Sequence, residues 1–273
     1  MEGNREEQLG RQLEQAAIVD ALGVVAPSGV AGTHSRDDPF WTLQFRLAAW
    51  KYADGPVHHR ELRLRKQVAE PEITAARELL RAYDVVHLRA RVVEDSVFGS
   101  PQGLLVEIIG KHSSDDELNS NAQELQKPVT FHDNQFGLFT LDRRIDWYEA
   151  QTTWNPTAVR LNLSMEDYED SNERLQMLST ARSLWGSRET WTGRITNCAV
   201  AELLNLKNES WLGEDEQELS AEDFKGRMTL ESITIYGDGR FEFWYNDGDL
   251  FLGHSIRVSG SLSNGPTDAG IEG

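Results

Sequence analysis

From Trp41 onward, apolar and polar positions alternate. Trp41, Leu43 and Phe45 share one parity in WTLQFRLAAWKY. Leu62 and Leu64 share one in HHRELRLRKQV, with Arg63 and Arg65 on the other. Period 2 marks strands with one buried face. Glu70-Pro71-Glu72 opens a helix, with proline in the first turn and acids at the positive end of the dipole. Ile73, Ala76, Leu79 and Leu80 follow at helical spacing. Val85–Val93 and Leu104–Ile109 read as two more strands around a turn at Ser100–Gly103. Upstream, Asn4–Leu22 reads as a short helix. Gly23–Pro39, with Pro27, Gly29, Gly32 and THSRDD, reads as a loop or linker. The order strand, strand, helix, strand, strand closes into a small barrel of the OB type or lies open with one helix. Periodicity does not choose between them.

Ser113–Leu125 is polar and weakly helical, and a second part begins near Pro128. Phe136–Tyr148 reads as a strand or a bent hairpin arm, and Gln151–Trp154 and Ala158–Leu163 as further strands. The period then switches to 3.6. Leu175, Leu178, Ala181 and Trp185 make one stripe, and Ile195, Ala199, Leu203 and Leu206 another, as expected for two helices packed on one sheet face. Ser220 with Asp223 three residues on is a capping pair for a third, short helix. Thr229–Tyr236, Arg240–Tyr245 and Leu250–Ser259 read as a three-stranded meander. Its turns are Gly237-Asp238-Gly239 and Asn246-Asp247-Gly248. The expected class is α+β: a β-rich N-terminal part with one helix, then an antiparallel sheet packed with two or three helices. The expected divisions are 1–39 (helix and linker), 40–128 (β-rich domain) and 129–273 (α+β domain ending in the meander).

Charge sharpens this picture. The 273 residues carry 27 basic and 45 acidic side chains, a net charge of −18. Met1–Pro128 holds −5 of it and Val129–Gly273 holds −13. Such a surface repels phosphate backbones and anionic membranes and favours a basic protein. The expectation is therefore no nucleic acid, no membrane, and a basic protein as the partner; oligomeric state is not legible. MEGNREEQLGRQLEQAA begins with acids and lacks the basic and apolar regions of a secretory signal. A single cysteine, Cys198, allows no internal disulfide, and the expected compartment is the cytoplasm.

FGLFTLDRRIDWYEA (Phe136–Ala150) and LESITIYGDGRFEFWYNDGDLFLGHSIRVSG (Leu230–Gly260) resemble a bacterial family known as domain of unknown function 2262. The resemblance covers about Phe136–Gly273. It implies a cytosolic bacterial protein with an α+β domain, and carries no catalytic residue.

Candidate chemistry is sparse. Asp247 and Asp249 flank Gly248, but they lack the further oxygen ligands of a calcium loop, and turn chemistry alone explains them. They are the only metal candidates, and no metal or cofactor is expected. If the turn centres near Asp247, His254 falls across from Arg240, near Asp238. A His254–Asp238 pair would suit a general base with its orienter. The acidic run Leu212–Asp223 reads as a solvated loop or, functionally, as a docking patch, with Trp211, Glu214, Asp215, Glu216 and Glu218 as binding residues beside an aromatic anchor. The leading reading is a non-catalytic acidic protein-binding module, immunity-like in neutralising a basic partner. The alternative is a hydrolase using acids and His254 near the meander.

Overall fold

The computed structural model describes residues 2–35, 38–112, 114–165, 170–213 and 216–273. The chain divides into two compact units, Met1–Lys127 and Pro128–Gly273.

In the first unit α1 (Glu2–Gln15) precedes β1 (Ile18–Thr33), β2 (Trp41–Tyr52), β3 (Leu62–Val68), α2 (Glu70–Leu79), β4 (Val85–Val93), β5 (Gln102–Lys111) and α3 (Asp116–Gln126). The strands close into a barrel in the order β1-β2-β3-β5-β4, with β4 returning to β1. Leu43, Phe45, Leu47, Leu62, Leu64, Leu88 and Leu105 fill the interior, and Ile73 and Ala76 of α2, with Leu80 just after it, join the same cluster. The alternation read from β2 and β3 is therefore a barrel's inside and outside. α2 starts as expected: the Glu72 side chain accepts from the Ala69 N–H at 3.0 Å. α3 buries Leu118 and Ala122 in a separate cluster with Leu22, Val24 and Ala49.

The segment read as a loop is mostly β1. Its Pro27, Ser28 and Gly29 mark a bulge inside one long strand. Pairing with β2 passes from Val25↔Leu47 to Val30↔Phe45 across it. Breaker residues signal a bulge as readily as a loop, and only the barrel's need for a closing strand separates the two.

The second unit contains β6 (Thr130–Asp133), β7 (Gly137–Asp142), β8 (Trp147–Trp154), β9 (Thr157–Ser164), α4 (Ser171–Gly186), α5 (Arg188–Ser210), α6 (Ala221–Arg227), β10 (Thr229–Tyr236), β11 (Arg240–Asn246), β12 (Ser255–Ser261) and β13 (Gly265–Glu272). Its eight-stranded sheet runs β13-β12-β11-β10-β9-β8-β7-β6. Two antiparallel meanders meet at β9 and β10, a parallel pair. A parallel neighbour requires a long crossover, and α4 to α6 form it. Leu178, Ala181 and Trp185 of α4 and Ile195, Ala199 and Leu203 of α5 share one core with Leu161, Leu163, Ile233, Ile235, Phe241 and Phe243 of the sheet. Two expected stripe residues, Leu175 and Leu206, stay exposed, while Met177 and Leu184 are buried instead.

The terminal meander has four strands, and Leu250–His254 belongs to none of them. That stretch folds around Asp247, which is 1% exposed. One carboxylate oxygen accepts from the N–H of Asp249 (3.2 Å), the other from Phe251 (2.6 Å) and Gly253 (3.2 Å). The class is α+β, with a β-rich N-terminal region and a C-terminal sheet carrying helices.

Candidate ligand face of the barrel

Barrel closure turns the polar parity of β2 and β3 outward. Arg46 lies opposite Arg63, Gln44 opposite Arg65 and Thr42 opposite Gln67. On the far side of β3, Arg63 neighbours Gln102 and Arg65 neighbours Leu104 of β5. Leu104 in turn faces Arg91 of β4. Like charges directly opposite each other on a sheet repel, so a line of arginines needs counter-charge.

Part of it comes from α1. Arg65 Nη1 reaches Glu6 at 2.7 Å, and Arg91 donates to the carbonyls of Glu14 and Ala16. Leu9 and Leu13 of this helix are buried. Arg46 pairs with Glu61 at 3.0 Å and donates to Ser28 Oγ at 3.2 Å. Arg63, exposed, has no carboxylate partner among the described residues. It lines a shallow groove with Arg46, Gln44, Ser28 and Gly29, where the β1 bulge stands over β2 and β3.

Two loops bound this face at opposite ends. The β1–β2 connection lies beside the paired Trp41 and Val68 and carries Phe40, 50% exposed. Next to it His34 stacks on Trp41, with ring centres 5.0 Å apart. The β4–β5 connection lies beside Arg63 and carries Phe98, 39% exposed. Ser96 shapes that loop, its hydroxyl donating to the Ser100 carbonyl (2.7 Å) and accepting from the Phe98 N–H (3.1 Å). The alternation of Arg63 and Arg65 was legible in sequence. Their alignment with Arg46 and the two phenylalanines required the barrel register.

The residues singled out from sequence lie elsewhere. His254 and Asp238 do not meet. Asn246 pairs with Ser255 and Arg240 with Ser261, so His254 stands at one end of β11 and Asp238 at the other. The expected geometry fails because the Leu250–His254 loop shifts β12 along by several residues. His254 instead packs edge-on to Trp211, and Asp238 binds Arg240 at 2.6 Å, which holds its carboxyl below the usual range. Asp247 is committed to backbone N–H groups. Asp249 is a turn residue with φ of 63°. Among the described residues no cluster of three His, Cys, Asp or Glu side chains suits a metal. Glu214 and Asp215 lie outside the described residues. Glu216 is an anchor: it reaches the buried Lys207 at 2.6 Å and Arg227 at 3.0 Å. Trp211 is partly buried, edge-on to Phe251. Glu218 is exposed. Burial pushes the Cys198 thiol up.

Residues 133–271 match the family described as "Uncharacterized protein conserved in bacteria (DUF2262)". The chain belongs to this family. Its residues 5–125 match a second description, "Domain of unknown function (DUF7021)". No curated protein matches this DUF2262 member. Among solved structures it is similar to single-stranded DNA-binding proteins. The mitochondrial protein Rim1 of S. cerevisiae is 15% identical, with a TM-score of 0.26, covering 36% of this chain and 99% of that one. The small protein of Streptomyces coelicolor is 18% identical, with a TM-score of 0.23, covering 37% and 95%. The protein of Thermus aquaticus is 10% identical, with a TM-score of 0.25, covering 55% and 74%. The expectation of no nucleic acid is corrected at the barrel, where Arg46 lies opposite Arg63 on an outward face. That expectation rested on net charge, an average over two units that says nothing of a local row of arginines.

Proposed function

We propose that this DUF2262 member is a binding protein whose barrel holds a single-stranded nucleic acid along the β2–β3 face. The supporting observation is the opposed pair Arg46–Arg63, with Arg63 free of any described carboxylate, in a groove on a face whose end loops carry Phe40 and Phe98. Phosphates would relieve the repulsion between the arginines, and unstacked bases would lie on the exposed rings. The test is fluorescence anisotropy of labelled oligo-dT and oligo-U against the full chain over a salt series. Binding is expected to weaken with salt, and Arg63→Gln to lower the log–log slope by about 0.7, the share of one phosphate on a single strand. Phe40→Ala should lose about 1–3 kcal/mol. Absence of binding at low salt sinks this reading.

A second reading concerns the other unit. Its −13 favours a basic protein partner, with Glu218 and Glu222 among its exposed carboxylates, and an immunity-like role is its concrete form. Association with such a partner should slow as salt rises. The hydrolase alternative is dropped, because its His254–Asp238 pair is not formed. Among the described residues no helix is long and apolar enough to cross a membrane, and a cytoplasmic site of action is part of this proposal.

A further inference from the structure

The helices cover one face of the eight-stranded sheet, and the alternate side chains point to the other face. There a polar row crosses the sheet in register: Glu149, Asn162, Thr234, Glu242, Ser259 and Asp268. Beside it runs a second row, Gln151, Arg160, Ser232, Trp244 and Arg257. Between β8 and β11 these rows enclose a groove of about 290 Å³, near the lower end of ligand clefts, roughly 300–1,000 Å³. Trp147 and Trp244 line it. Asn162, Ser232 and Thr234 also line it and are at most 7% exposed.

This groove is organised before any ligand arrives. Glu242 Oε2 accepts from Trp244 Nε1 (3.1 Å) and from the Tyr236 hydroxyl (2.9 Å), and Glu242 Oε1 lies 3.5 Å from Arg257. Burial, then the Glu242 carboxylate, push the Tyr236 phenol up to about 12, so it keeps its proton and its bond. The indole of Trp244 is thus held in one orientation, the preorganisation that binding sites need. Asn162 Nδ2 donates to Thr234 Oγ1 at 3.3 Å. That leaves the Asn162 carbonyl and the Thr234 hydroxyl proton unused. Ser232 makes no side-chain hydrogen bond among the described residues. None of these atoms is a sealed, unpartnered one, so all three face the groove with capacity for something outside the chain.

The lining defines the ligand. The deepest polar groups are neutral, and the lining also carries Asp142, Glu149 and Glu231 against Arg160, so an anion is repelled and carboxylates are at hand to accept from hydroxyl groups. The unused groups include both donors and acceptors, and hydroxyl groups act as both. Indole faces call for a flat apolar surface. A pyranose ring combines these properties: C–H groups on a face and hydroxyls around the edge. We propose that this groove is a saccharide-binding site, with Trp244 and Trp147 against the ring and Asn162, Ser232 and Thr234 bonding its hydroxyls.

The test is saturation-transfer NMR and calorimetry on the full chain with glucose, galactose, mannose, N-acetylglucosamine and their linked trisaccharides. At least one should bind with a dissociation constant of about 1 mM or tighter. Trp244→Ala should weaken it at least tenfold. Ser232→Leu, which fills the floor and leaves the Glu242 network intact, should abolish it while the melting curve stays cooperative. Arg63→Gln, in the other unit, should leave it unchanged, so this site and the barrel face succeed or fail separately. No transfer to any sugar at about 10 mM, ten times that constant, overturns the proposal. So does sugar binding that survives Ser232→Leu, or a groove that takes an arginine-rich peptide and no sugar.

Discussion

Asp247 is a turn residue by composition and a core residue by position. Its carboxylate closes the loop from Asp247 to His254 by accepting three backbone N–H groups. Asp247→Ala strands those donors in a site that water barely reaches. The expected loss is about 3 kcal/mol or more, read by urea denaturation, and an unchanged midpoint would contradict the assignment. Two neighbouring glycines separate strain from crowding. Gly239 has φ of 81° with nothing within 4 Å of an added Cβ, so Gly239→Ala should cost about 1 kcal/mol of left-handed strain. Gly248 has φ of 57°, and its Cβ would lie 2.4 Å from the Arg227 carbonyl oxygen. Gly248→Ala must also move backbone and should cost clearly more in the same measurement. Both glycines were legible as turn formers. The proximity of Arg227, from a different element, was not.

Among elements, the acidic segment after α5 shows how far charge runs mislead. Read as a solvated patch, it is tied down at several points. Lys207 Nζ donates to the Trp211 carbonyl at 2.7 Å as well as to Glu216, and the Asn208 side chain bonds both the N–H and the C=O of Leu219. Glu216→Gln should therefore lower the melting temperature, whereas Glu218→Gln should leave it unchanged. Hydrogen bonds from Lys207 and from the Gly213 N–H are the main causes that hold the Glu216 carboxyl below its ordinary 4.5. A depressed carboxyl stabilises the fold above its unfolded value and loses that contribution as pH falls through the folded one. Acidification below about 4.5 should thus shift the NMR signals of Trp211 and Leu219, and Glu216→Gln should remove that step. The α6 start behaves as read: Ser220 Oγ accepts from the Asp223 N–H at 3.2 Å, and Asp223 answers at the Ser220 N–H at 3.3 Å. A cap is local, so sequence shows it. The anchoring of Glu216 joins residues brought together by folding, so sequence does not.

At the scale of the whole molecule, each unit has its own apolar clusters, one large core in Pro128–Gly273 and two smaller ones in Met1–Lys127. Separate polypeptides covering these two spans should each melt cooperatively and keep dispersed NMR spectra, as units with independent cores do. A span that remains unfolded alone would show that its core depends on the other. The net charge of −18 is likewise a sum over unlike surfaces. It is compatible with an arginine row on the barrel and a neutral groove floor on the sheet.

Local rules settled much of this protein from sequence alone. Period 2 identified β2 and β3, period 3.6 identified α4 and α5, and glycine-aspartate turns located the start of the last meander. Each depends on residues within a few positions of one another. The tertiary structure decided the rest. Closure of the barrel made a strand of Gly23–Thr33 and set Arg46 against Arg63. The buried carboxylate of Asp247 replaced five residues of expected strand with a loop, and so parted His254 from Asp238. The parallel pairing of β9 with β10 brought Asn162 to Thr234, 72 positions away. Such contacts are set by register and burial between distant segments, which composition and periodicity do not encode.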